Sequence, residues 1–131
     1  MKATMTKAKA MGYQCVFVLF RGTGGMPIQT DKMYHLLSWR DIKEPTDYLH
    51  EKYCKSQGRR MYLYGVSLGG GILMHYMLND AAASPYSAVV TYGTPMCTDG
   101  ATESFKNRMW GLYDFGLGYN LNRKSIRPIL P

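Results

Sequence analysis

The stretch LYGVSLGGG, residues 63–71, holds Gly65, Ser67 and Gly69 at the spacing G-x-S-x-G. A serine flanked in this way does chemistry when the chain leaves a strand and enters a helix within about one residue. The turn strains its backbone and lifts the hydroxyl clear, while the glycines keep side chains away from neighbouring backbone. The reaction it would serve is acyl transfer. The hydroxyl attacks a carbonyl, and the N–H at the start of the helix, that of Leu68, holds the oxyanion that forms. The competing use of the same residues is structural, with Ser67 as a helix N-cap and the glycines present for packing.

A serine hydroxyl is a poor nucleophile until a base takes its proton, usually a histidine held by a carboxylate. The chain offers His35, His50 and His75. His75 falls about two turns along the helix that Ser67 would open, roughly 12 Å from the elbow, too far to act as its base. His50 belongs to a charged helical stretch and reads as solvated, and His35 lies near the start of that stretch, out of order for a triad. Among the acids that follow the last expected strand, Asp99 is better placed than Asp114, because it comes a few residues past a strand end. It is the weak acid candidate, and solvation of a loop explains both residues as well.

The three cysteines, Cys15, Cys54 and Cys97, form neither a C-x-x-C pair nor a cluster with histidine, so no metal site, cofactor or disulfide framework is expected. Reduced thiols of this kind fit a cytoplasmic setting, with membrane association an expectation for a longer form. Sixteen basic against nine acidic residues give a formal charge of +7, which favours anionic partners in general. No nucleic-acid-binding signature accompanies that charge, and the tyrosines are scattered, so no nucleic-acid partner is expected. With 46% hydrophobic and 19% charged residues the composition is that of a folded domain rather than a disordered chain.

The elements that must position Ser67 follow from periodicity. Residues 1–11 predict a short helix stopped by Gly12. QCVFVLF (14–20) predicts a strand covered on both faces, and RGTGGMP (21–27) a loop. From Ser38 to Cys54, Trp39, Ile42, Thr46, Leu49 and Tyr53 recur at steps of three and four, one face of a helix in which Pro45 is expected to kink the axis or start a second segment. MYLYGV (61–66) predicts a second strand, GGILMHYML (70–78) a helix and SAVVTYG (87–93) a third strand. Such alternation implies a parallel sheet with helices on both faces.

The residues GY at 12–13, FRGTGG at 20–25, YHLLSWRDI at 34–42, DYLHEKY at 47–53, YGVSLGGGILMHYML at 64–78 and VVTYGTP at 89–95 together resemble the alpha/beta hydrolase fold. The likeness is to its ABHD and YheT-like esterase/lipase branch. NRMWGLYDFGLGYNL at 107–121 resembles more loosely the start of that family's cap region. The resemblance implies that Ser67 is the nucleophile and Leu68 N–H one oxyanion donor, with Arg21 and Gly22 shaping a pocket. It places the family's acid and histidine beyond Pro131, and the loop with the second oxyanion donor before Met1.

The expected architecture is therefore α/β: a partial alpha/beta hydrolase core, a parallel sheet of about three strands with flanking helices. Residues 1–131 form one partial domain, with 1–95 as the core segment and 96–131 as the start of a cap-like region. The expected activity is that of a serine hydrolase acting on a small-molecule carboxylic ester or lipid, with little turnover by these residues alone. A non-catalytic binding or interaction module built on the same elbow stays open beside it. Contact with a membrane surface, and self-association through unpaired strand edges, are further expectations.

Overall fold

The computed structural model describes residues 2–25, 29–30 and 32–127, so the end of the expected 21–27 loop and the last residues of the 96–131 region lie outside the described residues. Helix α1 runs Lys2–Ala10 and stops at Gly12, whose φ of +88° is reached without strain only by glycine. Gly12 N–H donates to Lys9 O and Tyr13 N–H to Ala8 O, both at 3.0 Å, which satisfies two carbonyls of the helix end.

Residues 14–20 join no ladder; among the described residues the sheet has two paired strands rather than about three. Their apolar run signals burial, not pairing. Val18 and Phe20 pack on the core, whereas Val16, Phe17 and Leu19 stay exposed. Gln14 accepts a hydrogen bond from Arg59, just ahead of the next strand, and the Phe20 ring comes within reach of Gly69 beyond that strand's end.

Helix α2 spans Arg40–Leu49, continues through a π turn (His50–Cys54) and a 3₁₀ turn (Lys55–Gln57), and ends at Gly58 with φ +60°. The predicted face holds, with Ile42 and Thr46 buried. Pro45 neither stops the helix nor starts a second segment; it sits inside α2 and removes one hydrogen bond from the ladder. Packing of the Ile42/Thr46 face offsets that loss.

Strand β1 (Met61–Val66) pairs in parallel with β2 (Tyr86–Tyr92), Leu63 opposite Val89 and Val66 opposite Tyr92, and helix α3 (Leu68–Asp80) makes the crossover. The core is Ile42, Ile72, Leu73 and Tyr76, with Val18, Phe20, Tyr34, Trp39, Leu63, Met77, Tyr86 and Val89 packed round it. Rings of Tyr76 and Tyr86 meet edge to face with centroids 6.1 Å apart. The Thr46 hydroxyl lies 2.6 Å from Tyr86 OH and ties α2 to β2; burial pushes the Tyr86 phenol pKa up. Lys43 Nζ, 2.6 Å from Asp80, ties α2 to the end of α3.

The helical cover lies on one face of the sheet among the described residues, not on both. Tyr62, Tyr64, Val90 and Tyr92 on the opposite face are exposed. Near-continuous apolar strands announce two buried faces, but tyrosine tolerates a wet face because its phenol end is polar. Beyond β2, helices α4 (Thr98–Asn107) and α5 (Leu112–Leu121) follow. The fold is thus mixed α/β with a small parallel sheet, five α-helices among the described residues and a single elbow between β1 and α3.

Candidate active site

β1 ends at Val66, α3 begins at Leu68, and Ser67 alone makes the turn between them. Its backbone sits at φ +54°, ψ −125°, the one positive φ of a non-glycine among the described residues. That region is nearly closed to residues with a Cβ. Two hydrogen bonds hold it there: Ser67 N–H donates to Tyr92 O at 3.0 Å, and Gly71 N–H donates to Ser67 O at 3.2 Å. The strained residue is therefore fixed to the carboxyl end of the neighbouring parallel strand.

Ser67 occupies the N-cap position but does not cap. Its side chain makes no cap hydrogen bond, and the residue is exposed. An N-cap serine has extended backbone and an Oγ turned onto N–H groups of the first turn, and neither holds here. The N–H of Leu68, first in α3, has no partner among the described residues and lies immediately after the exposed hydroxyl.

The glycines divide into two kinds. A Cβ on Gly65 would run into the Leu73 side chain and lie 2.8 Å from Gly70 Cα. One on Gly70 would collide with the Thr94 hydroxyl, and one on Gly71 with Leu36. By contrast, a Cβ on Gly69 would meet only Phe20, at 4.0 Å. Of the two glycines of the G-x-S-x-G spacing, Gly65 is required by packing and Gly69 is not. Gly70, Gly71 and Thr94 carry the close approach that the G-x-S-x-G spacing leads one to expect at Gly69. The signal was present: three consecutive glycines opening a helix cost about 1 kcal/mol each against alanine, which calls for a packing reason.

Arg21, on the loop after residues 14–20, makes a bidentate pair with Asp41 of α2, through Nε to Oδ2 at 3.0 Å and through Nη2 to Oδ1. Its guanidinium fixes that loop to α2. His35 accepts the Leu37 N–H through Nδ1 at 3.2 Å, His50 opens the π turn and His75 lies on α3. Among the described residues no histidine forms an ion pair or hydrogen bond with a carboxylate, and none bonds to Ser67. Asp99 lies exposed in the first turn of α4, beside a shallow depression lined by Thr102, Glu103, Lys106 and Asn107 of the same helix. No described hydrogen bond brings it to Ser67. No group of three or more His, Cys, Asp or Glu side chains among the described residues is placed to hold a metal ion.

Relief of the elbow strain has a measurable consequence. Ser67→Gly removes a Cβ held at positive φ, worth about 1–3 kcal/mol, against roughly 0.5–1 kcal/mol of added backbone entropy in the unfolded chain. The expected net gain is about 1 kcal/mol over Ser67→Ala, which keeps the strain; neither change removes a side-chain hydrogen bond. Urea unfolding of the two variants checks this, and a less stable glycine variant would show that the elbow is unstrained.

The chain is 35% identical over 119 residues to an abhydrolase domain-containing protein of Dictyostelium discoideum, covering 88% of this chain and 29% of that protein. It is 26% identical over 111 residues to the mouse protein named phospholipase ABHD3, and 25% to the human one, each covering 84% of this chain and 26% of the relative. The chain thus spans less than a third of the length of these curated relatives. No protein-family model and no solved structure matches it.

Proposed function

We propose that this chain, which belongs to the ABHD-type branch of the alpha/beta hydrolases, carries the nucleophile elbow of a serine hydrolase acting on a carboxylic ester of lipid type. Ser67 is the nucleophile and the Leu68 N–H one donor to the oxyanion of the tetrahedral intermediate. The observation that carries this reading is the Ser67 backbone. A non-glycine residue at φ +54° with an exposed, non-capping hydroxyl is a costly arrangement that packing alone does not require. The lipid ester as substrate rests on the relatives named as phospholipases.

In this reading the general base and its carboxylate come from chain beyond the described residues, since none of His35, His50 and His75 is paired with an acid here. That same observation favours a second reading, in which the elbow persists as a scaffold in a non-catalytic binding module. Covalent labelling separates the two. The chain is grafted in place of the matching stretch of the Dictyostelium relative and treated with a fluorophosphonate, and the adduct is mapped by mass spectrometry. An adduct on Ser67 is expected; a folded graft that stays unlabelled leaves the scaffold reading in place.

A further inference from the structure

α4 and α5 pack on each other and on the turns that flank them rather than on the sheet. Along α5, the π turn that extends it (Asn122–Ile126) and the residue after it, Phe115, Tyr119, Arg123 and Arg127 follow at steps of four. Residues four apart stand one above the other on a helix, so the four make a single stripe. They line one shallow concavity together with Gly118 and Asn122. Phe115 and Tyr119 stack, with centroids 6.4 Å apart and planes 20° from parallel, yet they are 73% and 57% exposed. Arg123 and Arg127 are exposed and take part in no ion pair among the described residues.

The stripe therefore runs from a bare aromatic pair to two cationic forks. Its complement is a surface apolar within and anionic at its rim. The headgroup layer of a bilayer containing anionic lipid is such a surface: aromatic rings settle at headgroup level, and guanidinium groups bind phosphate and carboxylate in bidentate fashion. No helix of the described residues is long and apolar enough to cross a membrane, so the contact is lateral, along α5. A second copy of the chain set in parallel register is a poorer occupant, because it places arginine beside arginine.

We propose that the stripe Phe115, Tyr119, Arg123 and Arg127 docks this chain onto an anionic lipid surface, independently of the chemistry at Ser67. The whole chain is sedimented with vesicles of phosphatidylcholine alone and of phosphatidylcholine with phosphatidylserine. Binding to the anionic vesicles is expected, weakening as salt is raised. R123Q/R127Q lowers the partition coefficient roughly 30-fold, and F115S/Y119S lowers it roughly tenfold or more. K7Q/K9Q, on exposed positions of α1, removes the same charge and is expected to change it less than about threefold. All these positions are exposed, and unchanged melting confirms that the variants stay folded. Three results would overturn the proposal: equal binding to both vesicle types, equal losses from the α1 and α5 charge pairs, or an oligomer without lipid that F115S/Y119S dissolves.

Discussion

Ser67→Ala is expected to lower ester turnover by roughly 10⁴- to 10⁶-fold in the graft that supplies the relative's flanking chain. The size of the effect follows from what the substitution removes. Alanine keeps the turn, the β1–β2 pairing and the Leu68 N–H, so the oxyanion donor and any substrate contact survive. On the proposed reading only the attacking oxygen goes, and with it the covalent route. The remaining donor stabilises charge but makes no bond, which accounts for a small residual rate. In the isolated chain the difference between the parent and its Ser67→Ala variant is expected to vanish, because no described histidine is paired to take the proton. An activated ester reports both. Strong Ser67-dependent turnover by the isolated chain would make one of its own histidines a base, and turnover by the alanine graft equal to the parent would remove Ser67 from the chemistry.

The second large effect is on stability, and it separates two glycines four residues apart. Gly65→Ala is expected to cost about 3 kcal/mol, the upper end of ordinary overpacking. The new Cβ meets not only the buried Leu73 side chain but also Gly70 Cα at 2.8 Å and Gly70 N at 3.0 Å, which belong to backbone. Relief requires α3 to move off β1, and the elbow geometry goes with it. Gly69→Ala, with Phe20 at 4.0 Å as its nearest neighbour, is expected to be neutral or to stabilise by up to about 1 kcal/mol through helix propensity. Urea unfolding of the pair gives the comparison, and equal losses would mean that the first turn of α3 stands farther from β1 than these contacts imply.

How far such features were readable before the structure depends on the physics behind each. The strand–turn–helix at Ser67 was legible because G-x-S-x-G sits between a strand pattern and a helix pattern, and both patterns are local. The face of α2 was legible for the same reason, from Ile42 and Thr46 at helical spacing. Pairing was not legible: residues 14–20 have the composition of a covered strand, but ladder hydrogen bonds depend on a neighbour's alignment, which composition does not encode. One-sided cover of the sheet is not legible in the sequence because Tyr62, Tyr64 and Tyr92 count as apolar in a pattern yet tolerate water. Thr94 is not legible for a different reason. Its contact with Gly70 joins residues distant in sequence, and a single threonine after a strand carries no periodic signal. No described contact supplies an acid–base partner for Ser67, so that part of the site is not legible in either description.

The hydrogen bond from Ser67 N–H to Tyr92 O gives the elbow its own exchange signature. That amide opens to solvent only when the end of β1 leaves β2, although the residue's side chain is exposed. The Leu68 and Gly69 amides have no acceptor among the described residues, whereas Gly71 N–H is bonded to Ser67 O. In deuterated buffer the expected order along the chain is slow at Ser67, fast at Leu68 and Gly69, and slow again at Gly71. An ordinary N-cap lacks the first slow amide, because its own N–H has no strand to bond. Residue-resolved exchange across this turn would thus report the assembly of the elbow, in this chain or in a graft, with no substrate present.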